Sequence, residues 1–242
     1  MKNSKNALML CSGGLDSVVT AFYIKNRLNY SKIKVLFFDY KQKSVIKERE
    51  YAKLCAKKIG AKFIEIKLHW LGEISNSLIN KNGKIKKIAK KDLKDTKKEN
   101  EKFYVPCRNS IFISYALALA ESFYLKNKEI CDIFLGFKCE GKESYPDTTS
   151  EFVKELNKLA KISCSENFRI IAPLIKKDKE DIILLGKKLK VDFKKTFSCY
   201  IGKSKHCGYC LSCKLRQAGF YWADIYDPTI YKNKTKDFRL MD

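Results

Sequence analysis

No apolar run in this chain approaches the length of a membrane span, so the sequence offers no helix to cross a bilayer. The N-terminus, Met1-Lys2-Asn3-Ser4-Lys5, leads only into Ala7-Leu8-Met9-Leu10 before glycines intervene. That is too short for the core of a secretory signal peptide, and a cytoplasmic location is expected. Acidic side chains are scarce: 27 Asp and Glu face 50 Lys and Arg, a formal net charge of +23. Such an imbalance favours polyanions in general at low salt. The lysines are scattered through most segments instead of being gathered with aromatics, so specific nucleic-acid binding is not expected. Internal repeats are absent. So are two familiar phosphate loops, since the chain has no Gly-Lys-Ser/Thr ending and no Gly-x-Gly-x-x-Gly.

What stands in their place is Ser12-Gly13-Gly14-Leu15-Asp16-Ser17, directly after the apolar run Ala7–Leu10. It reads as a strand, a tight turn, then a helix starting near Asp16. The glycines allow positive φ and close backbone approach. Free amide groups of the turn and helix start point at an anion, and the helix dipole favours negative charge there. Ser12 and Ser17 add hydroxyl donors, and Asp16 is placed to hold Mg2+ beside phosphates. The bland alternative is an ordinary Gly-Gly turn.

Strand-like runs at Ala7–Leu10, Ile33–Phe38, Lys62–Ile66, Asp132–Leu135 and Arg169–Ile171 alternate with helical stretches at Asp16–Leu28, Val45–Ile59, Asn109–Leu125, Ser150–Ile162 and Lys179–Leu189. This alternation predicts an α/β fold, a parallel sheet with helices on both faces. Ligands of such sheets bind beyond the carboxyl ends of the strands, where the first loop stands. Asn109–Leu125 is nearly all apolar and is expected to be buried on most sides. Lys81–Glu101 is crowded with lysine and acid and reads as a mobile insertion, either closing over the site or mere solvated decoration. The expected division is an α/β unit over 1–192 and a C-terminal metal-binding segment over 193–242 packed on it.

Ten cysteines without a secretory signal argue for reduced thiols. Cys199, Cys207, Cys210 and Cys213 follow a Cys-x7-Cys-x2-Cys-x2-Cys pattern. Short Cys-x-x-Cys turns let thiolates converge on one ion, so a structural Zn2+ site is expected. An iron–sulfur cluster and a redox pair are the alternatives. His206 adjoins Cys207 and could replace a ligand, although four thiolates already close a site. The remaining cysteines are read as small buried hydrophobes, with Cys107 and Cys139 less safely so because both lie near motifs.

Ser-Gly-Gly-x-Asp-Ser resembles the pyrophosphate loop of the ATP pyrophosphatases. Loop and knuckle together resemble the 7-cyano-7-deazaguanine synthase family. Val105-Pro106-Cys107-Arg108-Asn109 is similar to that family's Val-Pro-Gly-Arg-Asn, and Tyr40-Lys41-Gln42 to its Tyr-x-Gln. Tyr145-Pro146-Asp147 followed by Glu151-Phe152 resembles its Gly-Tyr-Pro-Asp-Cys-Arg-x-x-Phe region, and Thr196–Tyr200 leads into the knuckle as in the family. The resemblance implies a Rossmann-like sheet of the adenine nucleotide alpha hydrolase type, a zinc appendage and a homodimer. It implies ATP-dependent conversion of 7-carboxy-7-deazaguanine and ammonia to the nitrile, on the queuosine route, through an acyl adenylate and an amide. Ser12, Gly13, Gly14, Leu15, Asp16 and Ser17 would then bind ATP. Gln42, Arg108, Asn109, Tyr145 and Asp147 would bind substrate, with Asp16, Arg108, Asn109 and Asp147 catalytic. The plain alternatives are a helix-start salt bridge and cap for Arg108-Asn109 and a capping or turn carboxylate for Asp147.

The departures are specific. Gly141 and Ser144 stand where the family has Asp and Gly, Thr148-Thr149 replace Cys-Arg, and Cys107 replaces a glycine. They leave open an anti-phage defence paralogue that joins the activated acid to another amine, possibly on a protein, and stops at the amide. A tRNA-modifying enzyme is favoured only by net charge, and a silent nucleotide-binding protein is the remaining alternative.

Overall fold

The computed structural model describes residues 5–89, 93, 96–138, 145–202 and 204–233. Cys139, Gly141 and Ser144 lie outside the described residues. Five strands, β1 (Asn6–Leu10), β2 (Lys32–Asp39), β3 (Lys62–Lys67), β4 (Cys131–Phe134) and β5 (Ile170–Ile171), form one sheet in the order β3-β2-β1-β4-β5. Every pairing is parallel; β1 sets Asn6 against Lys32 of β2 and against Cys131 of β4. The chain runs from β1 outward to β3, then returns to lay β4 on the other side of β1. The strand order therefore reverses beside β1, which opens a crevice at its carboxyl end.

Eight helices accompany the strands among the described residues: α1 (Leu15–Asn26), α2 (Val45–Ile59), α3 (His69–Ile74), α4 (Lys97–Glu101), α5 (Arg108–Asn127), α6 (Ser150–Ser163), α7 (Lys179–Lys188) and α8 (Leu211–Trp222). Alternation along each strand sends successive side chains to opposite faces. Ala7, Met9, Val35 and Phe37 meet Val19 of α1, Ala56 of α2, Ile183 of α7 and Phe220 of α8. Leu8, Leu36 and Ile133 meet Ile113 and Ala116 of α5 and Leu156 and Ala160 of α6. Both layers expected from the sequence are present.

One expectation needs correction. The α5 helix is not buried on most sides: Ile113, Ala116, Leu117 and Ala120 face the sheet, while Tyr115 and Leu125 are exposed. Its composition gives no polar face, yet only one side has a layer to meet. In the C-terminal segment, Phe193 and Phe220 belong to the same core as β1 and α1. Buried Arg216 ties α8 back to that junction, donating to the Phe193 carbonyl at 2.9 Å and to Thr196 Oγ1 at 2.8 Å. Within the described part of 81–101, Ile88 is buried and its amide donates to the Tyr209 carbonyl at 3.1 Å.

Candidate active site

The sharp turn between β1 and α1 rests on one backbone angle. Gly13 has φ of 75°, in the left-handed region, and a Cβ there would lie 2.5 Å from the Glu48 carbonyl oxygen. A side chain would therefore both strain the turn and push it off α2. The Gly13 carbonyl accepts from Phe197 N–H at 2.9 Å, which ties the loop to the knuckle segment. Gly14 caps α1 without a side-chain bond, so the amides of Leu15, Asp16 and Ser17 have no helical carbonyl to meet. These are the donors of an anion cradle. The Ser17 hydroxyl braces the turn, donating to the Gly14 carbonyl at 3.0 Å and lying 3.4 Å from Ser12 Oγ.

The loop forms one end of a cleft of about 280 Å³ lined by Ser12, Gly14, Leu15, Asp16 and Ser17 together with Gln42, Arg108, Asn109, Tyr145 and Asp147. Every non-metal residue singled out from the sequence thus meets at one place, except Gly13, which sits against α2. The cleft lining also includes Tyr40 of the Tyr-x-Gln stretch and two charged groups that no motif marks, Lys179 and Glu48. Lys179, the first residue of α7, places Nζ 2.7 and 2.6 Å from the two carboxylate oxygens of Asp16. Nothing marks it among so many lysines; only the packing of α7 beside α1 brings it there. Glu48 lay in a stretch noted as a charged helix, and its position within the first turn of α2 was the available signal.

At the far end, Arg108 donates from Nη1 to the Tyr40 hydroxyl at 3.4 Å and from Nε to Asn109 Oδ1 at 3.3 Å. Both acceptors are neutral, and no described carboxylate lies within ion-pair distance of this guanidinium. Asp147 and Glu48 act on it through their charges without forming an ion pair, which leaves the fork open to an anion in the cleft. Asn109 is engaged inward: Nδ2 donates to the Asp147 carbonyl at 3.1 Å, and its backbone N–H donates to Asp147 Oδ2 at 3.2 Å. Asp147 therefore caps the start of α5, the plain alternative raised for it. Gln42 is equally committed, with Nε2 donating to the Phe38 carbonyl at 3.0 Å and to Glu48 Oε2 at 2.9 Å, and Oε1 accepting from Tyr40 N–H at 2.9 Å. Tyr145 donates its hydroxyl to the Asn100 carbonyl at 2.9 Å and stacks on Tyr104. These four hold the cleft in shape more than they face its contents.

The departures acquire physical meanings. Cys107 has φ of 50° at the start of α5, so the family glycine suits a left-handed backbone there; the thiol is exposed. Thr149, where the family has arginine, accepts from Phe152 N–H at 3.0 Å and caps α6. Thr148 donates to the Tyr145 carbonyl at 2.9 Å.

Cys199, Cys207, Cys210 and Cys213 bring their sulfurs within 4.8 Å of one another, all buried. The Cys199–Cys210 and Cys207–Cys213 separations are both 3.9 Å. A tetrahedral ion with bonds of about 2.3 Å requires sulfurs about 3.8 Å apart, so the site fits a zinc-sized ion. Backbone amides of Gly202 and Cys207 donate to Cys199 Sγ at 3.1 and 3.3 Å, the pattern that stabilises thiolates. His206 points elsewhere: its Nε2 accepts from Ser198 N–H at 3.0 Å, and burial depresses its pKa to about 3, keeping the ring neutral.

A doubly wound parallel sheet, a glycine turn feeding an uncapped helix at the strand reversal, and a four-thiolate knuckle define an α/β protein of the anion-cradling, nucleotide-loop class. The model of the family described as queuosine biosynthesis protein QueC matches residues 6–224, and the chain belongs to that family. It is 36% identical over 229 residues to a 7-cyano-7-deazaguanine synthase of Methanosphaera stadtmanae, covering 93% of this chain and 98% of that one. The corresponding protein of Campylobacter hominis is 37% identical over 230 residues, covering 93% and 99%. The U34-tRNA thiolase NcsA from Methanococcus maripaludis aligns over 92% of this chain and 65% of its own at a TM-score of 0.45 and 15% identity, too slight a likeness to bear on function. Among the described residues no helix is long and apolar enough to cross a membrane.

Proposed function

We propose that this chain uses ATP to convert a 7-carboxy-7-deazaguanine-like carboxylate and ammonia into 7-cyano-7-deazaguanine. One observation carries the reading. A single cleft has helix-terminal amides at one end and Arg108, hydrogen-bonded only to neutral groups, at the other, in a chain whose relatives across its length are named for that nitrile.

The chemistry asks the protein for positioning and charge stabilisation. The amides of Leu15, Asp16 and Ser17 hold the leaving pyrophosphate, with the Ser12 hydroxyl beside them. Arg108 orients the substrate carboxylate so that one oxygen faces the α-phosphorus, giving acyl adenylate and pyrophosphate. Ammonia displaces AMP to leave the amide, whose oxygen is activated by a second ATP before AMP departs from the nitrile. Asn109, Asp147, Gln42 and Tyr145 act by fixing Arg108 and the cleft walls. Asp16 is the carboxylate available to Mg2+ beside the phosphates, and both its oxygens now engage Lys179, so the ion and the lysine compete. Bound there, Mg2+ would supply charge neutralisation. The four cysteines would hold Zn2+ as a structural ion, its ligands being all cysteines and buried behind the cleft wall. A cytoplasmic homodimer completes the reading, with the exposed Tyr115 and Leu125 side of α5 as apolar surface for pairing; sedimentation of the purified chain tests it.

Incubation with 7-carboxy-7-deazaguanine, ATP and ammonium, followed by mass spectrometry, is the test. Nitrile together with AMP and pyrophosphate is expected. Amide alone would favour the second reading, a paralogue that couples the activated acid to another amine, which the Thr148-Thr149 departure supports by removing a cation. No acid-dependent pyrophosphate would refute both.

A further inference from the structure

We propose that Glu48 is the proton acceptor for the nitrogen, both when ammonia attacks the acyl adenylate and when the activated amide collapses to the nitrile. The inference rests on the function proposed above and assigns the amine end of its site.

The balance of the reaction creates the need. In the first step a C–N bond forms, the C–O bond to AMP breaks, and the nitrogen sheds a proton. In the second, the amide oxygen carries AMP away, and the two N–H protons leave as their electron pairs become the new C–N π bonds. A base beside the nitrogen therefore serves both steps. Three carboxylates line the cleft among the described residues: Asp16, Glu48 and Asp147. Asp16 is paired with Lys179 at 2.6 Å, at the phosphate end. Asp147 caps α5 through Asn109 N–H. Glu48 carries neither an ion pair nor a helix to cap, and its donors are the neutral Ser44 hydroxyl at 2.6 Å and Gln42 Nε2 at 2.9 Å. Each of its oxygens has one such partner, which leaves a lone pair on each for a proton or an ammonium hydrogen.

Its place suits the task. The Glu48 backbone abuts the Gly13 turn, so the carboxylate lies near where phosphates and acid meet, and Gln42 fixes its direction. Burial raises its pKa above the ordinary carboxylate range, against the pull of the Ser44 and Gln42 hydrogen bonds and of Arg108. A carboxylate raised in this way is a better base than a solvated one. The charged or titratable groups facing it are Arg108 from α5 and Tyr40 from the β2–α2 loop.

Glu48→Gln in the full chain, which keeps shape and removes the base, tests this, with Glu48→Asp alongside. Three reactions are measured across a pH series: carboxylate-dependent exchange of labelled pyrophosphate into ATP without amine, amide formation with ammonium, and hydroxamate formation with hydroxylamine, a nucleophile already neutral near pH 7. Glu48→Gln is expected to keep exchange and hydroxamate formation while amide formation falls by roughly 100-fold or more. Glu48→Asp should recover part of that loss, and the acid limb of the wild-type amide profile should vanish in Glu48→Gln. Amide formation at the wild-type rate would overturn the inference, as would joint loss of exchange and hydroxamate, the mark of a structural or ATP-binding role. Wild-type protein without acid-dependent exchange would sink the proposed function itself, and that is seen before any variant is made.

Discussion

Asp16 and Lys179 form an ion pair whose strength must be judged by exposure. Their side chains are 24% and 16% exposed, so solvent screens the pair and its contribution to stability is about 1 kcal/mol or less. Removing Asp16 should therefore cost function and not the fold. Asp16→Ala is expected to abolish pyrophosphate release while its melting temperature stays within a few degrees of wild type, about the shift that 1 kcal/mol gives. Retained release would exclude a role for Asp16 at the phosphates. Arg108 invites the complementary experiment. Arg108→Lys keeps the charge but loses the planar fork, and should reduce kcat/KM for the carboxylate roughly 100-fold, mainly through KM, with ATP binding little changed. Steady-state titration of each substrate separates the two.

At the scale of elements, the position of Lys179 depends on how α7 crosses α8. Gly219 lies at that crossing: a Cβ there would approach Lys179 Cγ to 2.2 Å and Ile183 Cδ1 to 3.0 Å. Gly219→Ala is expected to part the two helices, with destabilisation of about 1–3 kcal/mol from overpacking. Thermal melts read that cost. Lys179 should also leave Asp16, so pyrophosphate release should fall in protein that is still folded. The opposite end of the sheet provides a control. Asp132, at the start of β4, accepts from Tyr30 and from Arg169 at 2.5 and 2.8 Å, far from the cleft side of the strands. Asp132→Asn should lower stability by about 1–3 kcal/mol and leave kcat and KM unchanged at a temperature where the protein is folded.

For the whole molecule, the knuckle segment is joined to the loop by the bond from Phe197 N–H to the Gly13 carbonyl, and Arg216 of α8 braces the adjoining Thr196. Metal binding and the shape of the phosphate cradle are therefore coupled. Cys210→Ser should lose bound metal, measured by elemental analysis, and should lower both solubility and melting temperature, because a structural ion contributes folding free energy. Stripping wild-type protein with a chelator should do the same, and the anion cradle should weaken with it, seen as a rise in KM for ATP.

The sequence by itself determined the sheet, its helical layers, the phosphate turn and the thiolate knuckle. Each is encoded locally, in apolar alternation, in adjacent glycines after a strand, or in cysteines two residues apart. Tertiary structure alone decided which of the many charged side chains face the cleft. Lys179 arrives from 163 residues away along the chain to meet Asp16. Asn109 and Asp147 proved committed to each other across 38 residues of chain, which a linear reading does not bring close. It also decided that α5 is covered on one side only and that the last helix shares the main core. Contacts of that kind depend on where the layers close in space, and residue order carries no distance across a fold.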